Sequence, residues 1–158
     1  MSEKDINEKN IVLIPCSGSE HHGELARQVA IHLAEKSKIA SISSMTCSTI
    51  FLKNILLEKE QLVEITKNHL KHSFIIVING CNIACASVIY KHLDVVPDLI
   101  ISVQDIIPKQ RMNLNDLNTF KNLPKLSEIK EEGITKVIEF VLQELKNKGP
   151  RINKFNEN

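Results

Sequence analysis

Three short and almost entirely apolar runs constrain this chain more than any other feature of its sequence. They cover residues 11–15 (IVLIP), 74–78 (FIIVI) and 99–103 (LIISV). A strand with one face in water alternates apolar and polar residues, whereas a strand covered on both faces is apolar throughout. The three runs therefore predict strands of a parallel sheet that is buried on both faces.

Segments with the apolar spacing of helices separate these runs. The predicted helices cover residues 23–36, 50–57, 58–72, 84–92 and 129–148. Residues 38–43 (KIASIS) predict a further, weaker strand. Alternation of strands and helices is typical of an α/β fold with a parallel sheet. We therefore predict a three-layer, Rossmann-like domain with a parallel sheet of about four strands and a C-terminal helix.

The length and composition fit one globular domain. The 158 residues are 42% hydrophobic and 25% charged, as in ordinary globular domains. We expect a single domain over residues 1–158, with a core over about residues 11–149 and polar tails at residues 1–10 and 150–158.

Charge and hydropathy exclude several classes of partner. The chain has 20 basic and 19 acidic residues, so no net field attracts nucleic acid or an anionic membrane. No apolar run approaches the roughly 18 residues that cross a bilayer, and residues 1–10 lack the apolar segment of a signal peptide. We expect a cytoplasmic protein, in which cysteines indicate metal binding or catalysis rather than disulfides. The sequence identifies no protein partner.

All four cysteines of the chain follow predicted strands. Cys16 directly follows the first strand, and Cys47 lies a few residues past the second. Cys81 lies just past the third strand, and Cys85 lies in the first turn of the next predicted helix. In parallel sheets the carboxyl ends of the strands lie at one edge, where ligands bind. We therefore expect the four thiols to converge on one site.

Four thiols of this kind are typical of a metal site. Four thiolates complete the tetrahedral shell of Zn²⁺, at about 2.3 Å for each bond. Helices that begin near Gly23 and Ala84 would direct their N-terminal N–H groups towards the negative charge of such a centre. Four cysteines also hold iron–sulfur clusters. The sequence therefore predicts a metal ion as ligand, with zinc expected and an iron–sulfur cluster as the alternative.

Three stretches of the chain resemble the DGC domain family, which is described as zinc-binding and named for a central Asp-Gly-Cys motif. The resemblance lies in residues 15–30 (PCSGSEHHGELARQVA), in Cys47 and in residues 79–86 (NGCNIACA), and it covers roughly residues 11–110. It implies that the four cysteines match the potential chelating cysteines of the family, and it implies no particular reaction. Asn79 stands where the family usually has Asp, so this chain lacks a carboxylate there.

The thiols also allow other functions. Cys81 and Cys85 could form a redox pair, although their C-x₃-C spacing differs from the C-x₂-C of thioredoxin-like motifs. A labile Cys16 could act as a nucleophile or pass metal or sulfur to another protein. The sequence thus predicts a zinc-binding protein, with a thiol redox or sulfur/metal-transfer protein as the alternative. It leaves open whether the protein is an enzyme.

Polar residues near the first helix are interpreted as ordinary surface groups. We expect His21 and His22 to be solvent-exposed loop residues that precede the helix, although either could replace a cysteine as the fourth metal ligand. Glu24 is interpreted as a carboxylate that the positive end of the helix dipole favours.

Overall fold

The computed structural model describes residues 10–16, 21–36, 40–42, 60–108 and 129–148. Within them, the strands are β1 (Asn10–Pro15), β2 (Ala40–Ile42), β3 (Ser73–Asn79) and β4 (Leu99–Ser102). The helices are α1 (His21–Lys36), α2 (Glu60–Lys71), α3 (Cys85–His92), α4 (Val103–Ile106) and α5 (Glu131–Lys148). The predicted α/β fold, with a four-stranded parallel sheet and a C-terminal helix, is confirmed.

The sheet has the strand order β2-β1-β3-β4, and all of its pairs are parallel. From β1 the chain moves to β2 on one side, and it then returns to place β3 on the other side. Strand order therefore reverses between β1 and β3, which in open α/β sheets opens a crevice beyond the carboxyl ends of the two strands. Pro15 is in register with Ile78, so both strands reach this edge together.

Helices cover both faces of the sheet. The odd-numbered residues of β1 and the even-numbered residues of β3 pack with α1 and α5 in one core. The alternate residues pack with α2 and α3 in a second core on the opposite face. Every residue of β3 is buried. The expectation that the apolar runs are covered on both faces is confirmed for residues 11–15 and 74–78. It is wrong for β4, where Ile100 is 55% exposed, because this strand lies at the edge of the sheet.

The predicted helix over residues 129–148 has the clearest apolar spacing in the sequence, and the structure confirms a helix there, α5. Its buried residues recur every three or four positions, at Ile134, Val137, Val141 and Leu145. The face that they form packs against α1, which buries Val29 and Leu33 among others. These two helices form the larger of the two cores because their apolar stripes are continuous over several turns.

The end of β4 differs from the prediction. The chain leaves β4 at Ser102 and enters α4, so Val103, which was predicted to end the strand, is helical and is buried in the core with α1 and α5. Among the side chains of α3 that the structure describes, Ala86 and Tyr90 are buried and Val88 is exposed. Short helices have few turns over which apolar spacing can repeat, and so their buried face is weakly specified by sequence. The predicted helix over residues 50–57 lies outside the described residues.

Two glycines allow α1 to approach the end of β3 at backbone distance. A Cβ atom on Gly80 would lie 2.7 Å from both the Cα and the N of Gly23, and 2.8 Å from the carbonyl carbon of His22. No described glycine has a positive φ, so Gly80 is required for space and not for its backbone conformation. This contact places the first turn of α1 at the carboxyl edge of the sheet.

We expect Gly80→Ala to destabilise the protein by about 1–3 kcal/mol, because the added methyl meets backbone atoms that cannot rotate away. The matched control is Gly133→Ala in α5. A Cβ atom at position 133 would lie 3.4 Å from a flexible side-chain atom of Ile107. Alanine is the better helix former, so the control should leave stability unchanged or raise it by up to about 1 kcal/mol. Urea unfolding measures the free energy of unfolding of both variants. Equal values would contradict the close contact between Gly80 and the backbone of α1.

Candidate metal centre

Three of the four cysteines lie at the carboxyl edge of the sheet. Cys16 directly follows β1, and its backbone N–H donates a hydrogen bond to the carbonyl oxygen of Ile78 at 2.8 Å. Cys81 follows β3 after Gly80, and Cys85 is the first residue of α3. All three are partly exposed. The edge between β1 and β3 therefore carries thiols from two distant parts of the chain.

The described residues do not by themselves form a complete metal site. Among residues 10–16, 21–36, 40–42, 60–108 and 129–148, no three His, Cys, Asp or Glu side chains are placed so that they could hold a metal ion together. Cys47, the fourth predicted ligand, lies outside these residues. Thiolates are common ligands of zinc, so the sulfur atoms at this edge are donors of a type that zinc accepts. The four-cysteine site stays a prediction.

The turn between Cys81 and Cys85 is tight. Ala84 has φ 52° and ψ 38°, in the left-handed region that costs an alanine roughly 1–2 kcal/mol. Its N–H donates to the carbonyl oxygen of Cys81 at 3.0 Å, and its own carbonyl accepts from Ser87 and Val88. Because α3 begins only at Cys85, Cys81 and Cys85 are not neighbours on one helix face. The turn, and not helical periodicity, sets their relative position.

Asn79 joins the end of β3 to the first turn of α3. Its side chain is buried, its Nδ2 donates to the Oγ of Ser87 at 2.7 Å, and its Oδ1 accepts from the N–H of Ser87 at 3.3 Å. The N–H of Ser87 also donates to the carbonyl oxygen of Ala84 at 2.9 Å, so Asn79 and Ala84 share this donor at the start of the helix. Asn79 thus joins the end of β3 to the first turn of α3 through two hydrogen bonds.

The prediction that His22 is an exposed loop residue is wrong. Helix α1 begins at His21, two residues earlier than expected, and His22 is 5% exposed. The Nε2 of His22 lies 2.7 Å from the carbonyl oxygen of Ile107, just after α4. The rings of His21 and His22 meet edge to face, with their centroids 5.3 Å apart. Local sequence carries no signal for this burial, because the partner is 85 positions away.

Glu24 is held by its neighbours on α1. Arg27 donates to both of its carboxylate oxygens, and Gln28 donates to Oε1 at 2.8 Å. The hydrogen bonds from Arg27 are the main cause that lowers the pKa of Glu24 below its usual value of 4.5. An ionised and paired carboxylate is a poor proton acceptor, so these contacts favour a structural role for Glu24 in the helix over that of a general base.

A profile of the DGC domain family matches residues 12–141, a range that contains all four cysteines. The chain belongs to the DGC domain family. No match was found among curated proteins or among solved structures. Within the part of the chain described above, no helix of this DGC domain is long and apolar enough to cross a membrane.

A cavity among the described residues of this DGC domain lies away from the cysteines. It has a volume of about 420 Å³ and lies where α2 ends and β3 begins, at the amino edge of the sheet. Three of the charged groups that line it have partners: Lys67 lies 3.8 Å from Asp94, and Asp98 accepts from the N–H of Ile75 at 2.8 Å. No cysteine lines this cavity, so the thiols at the opposite edge identify the candidate site better than the cavity does.

We expect Asn79→Leu to destabilise this DGC domain by about 1–3 kcal/mol, because it removes both hydrogen bonds between Asn79 and Ser87. Asn79→Asp should cost less, since a carboxylate can accept from both the N–H and the hydroxyl of Ser87. Chemical denaturation measures both. In the background of Ser87→Ala the cost of Asn79→Leu should shrink, and an unchanged cost would show that the two side chains do not act together.

The pairing of Glu24 predicts a dependence of stability on pH. A lowered pKa in the folded state means that the pairing stabilises the protein above the unfolded-state value of 4.5, and that this contribution is lost as the pH falls through the folded-state pKa. Glu24→Gln should therefore lower the melting temperature at neutral pH and have little effect well below pH 4.5. Glu139→Gln, on the exposed side of α5, is the control. Equal losses at both pH values would rule out a role for the charge.

Proposed function

We propose that this protein binds a zinc ion through thiols at the carboxyl edge of its sheet, where strand order reverses between β1 and β3. The observation that carries the proposal is the position of Cys16. Its N–H donates to the carbonyl oxygen of Ile78 in β3, and Cys81 lies three residues further along the chain, just past the end of β3. Two thiols that are 65 positions apart in sequence thus follow adjacent strands.

The charge environment of this edge supports a thiolate site. Helices α1 and α3 both begin there, after β1 and β3 respectively. A helix N-terminus carries a partial positive charge and N–H groups without helical partners, and both favour anionic ligands. A zinc ion with three or four thiolates has a net negative charge, which such N-termini offset. Cys47 is the donor that we propose to join the described cysteines.

The proposed zinc ion has a functional role at this edge and is not needed to stabilise the fold. The larger core alone buries 17 residues between the sheet, α1 and α5. A domain of this size buries enough apolar surface to fold without a metal. Structural zinc is required chiefly in small domains that lack such a core. A site in the crevice where α/β proteins bind their ligands is therefore best explained as one that acts on a partner or a substrate.

A dithiol function is the second candidate, because the turn after β3 brings two thiols into one short segment. Cys81 and Cys85 flank a turn closed by a 3.0 Å bond from the Ala84 N–H to the Cys81 carbonyl. In this case the two thiols would reduce a disulfide of another protein. They would give up two electrons and two protons and become a disulfide themselves.

Elemental analysis of protein purified without chelators tests the two functions. Zinc binding predicts about one zinc per chain, and fewer reactive thiols before zinc is removed than after. Cys16→Ser and Cys81→Ser should each lower the zinc content, whereas Ser102→Ala, at the end of β4, should retain it. Protein without zinc would overturn the proposal. If the free thiols of Cys81 and Cys85 then disappeared together on mild oxidation, the dithiol function would replace zinc binding as the proposed function.

A further inference from the structure

The cavity at the amino edge of the sheet has the size and the lining of a site for a small molecule. Its volume of about 420 Å³ falls within the range of such sites, about 300–1,000 Å³. Its floor is formed by buried residues of the second core, Leu70, Ile75 and Leu93. Val96, which also lines it, is 85% exposed. A ligand in this cavity would therefore remove apolar surface from water, which favours binding.

Asp98 holds a carboxylate in a fixed place at this cavity. Its N–H donates to the carbonyl oxygen of Ile75 at 3.0 Å, and its Oδ2 accepts from the N–H of Ile75 at 2.8 Å. A carboxylate has two oxygens and about four acceptor positions, so Asp98 can accept further hydrogen bonds from a ligand. Because both its backbone and its side chain are bonded to β3, this acceptor is in place before a ligand arrives, which lowers the entropy cost of binding.

The charges around the cavity favour a cation. Two lysines and three acidic residues line it, namely Lys67, Lys71, Glu64, Asp94 and Asp98. Lys67 and Asp94, which lie 3.8 Å apart, offset one charge of each sign. Of the other three residues, Lys71 is positive, whereas Glu64 and Asp98 are negative, so the lining is acidic overall. Helix α2 also ends at this cavity, and the C-terminus of a helix carries partial negative charge.

We propose that this cavity binds a small organic amine, whose ammonium group donates to Asp98 and whose apolar part lies against Val95 and Val96. An ammonium group has donors and no acceptor, so it matches a carboxylate. No three His, Cys, Asp or Glu side chains of the described residues could hold a metal ion together, so an organic cation suits this lining better than a metal ion does. The site lies at the edge opposite the thiols and does not depend on zinc binding.

Titration of the protein with 2-phenylethylammonium, followed by two-dimensional NMR of the backbone amides, tests the proposal. We expect saturable shifts at Ile75, Val95 and Asp98, and unchanged amides at Cys16 and Cys81. The anion 3-phenylpropanoate has a similar shape and the opposite charge, and it should cause no such shifts. The proposal is overturned if the amine causes no saturable shift at the cavity, or if the two compounds bind equally well.

Variants of the lining then assign the ammonium group. Asp98→Asn keeps an oxygen that accepts from the N–H of Ile75 and removes the charge. It should weaken binding of the amine by at least about tenfold, because hydrogen bonds to charged groups are among the strongest. The matched control is Asp105→Asn, at an exposed acid of α4 near the opposite edge, which should leave the affinity unchanged.

Lys71→Gln provides a second test that leaves Asp98 intact. It should tighten binding of the amine, because it removes a like charge from the lining. Weaker binding in Lys71→Gln would overturn the amine and indicate a ligand with a negative group. Unchanged affinity in Asp98→Asn would overturn the role of its carboxylate.

Discussion

The parallel pairing of β1 with β3 is the interaction on which the rest of the structure depends. The two strands pair over six positions, from Asn10 beside Ser73 to Pro15 beside Ile78, and their apolar side chains form the centre of both cores. Because β2 lies on the far side of β1, this pairing also creates the reversal in strand order. One set of backbone hydrogen bonds thus builds the core and brings Cys16 beside the turn that carries Cys81.

The carboxyl edge of the sheet is held differently from the core. Packing of apolar side chains is nondirectional, and many arrangements of Ile, Leu and Val fill a core equally well. At the edge the contacts are directed: Asn79 bonds Ser87, His22 bonds the carbonyl of Ile107, and the backbone of α1 touches Gly80. Directed contacts fix positions to within a fraction of an ångström, which is the accuracy that a ligand site requires.

Sequence alone determined the architecture, because the patterns that encode it are local. Runs such as FIIVI are apolar whichever residues cover them, and the spacing of Ile134, Val137, Val141 and Leu145 is set by the helix itself. The positions of the cysteines after the strands followed from the same local reading. The burial of His22, the contact of Gly80 with Gly23 and the bond of Asn79 to Ser87 were decided only by the tertiary structure. Two of these contacts join distant segments, and the third depends on where α3 begins. No local pattern encodes them, because a polar residue in a turn looks the same in sequence whether it faces water or a neighbouring strand.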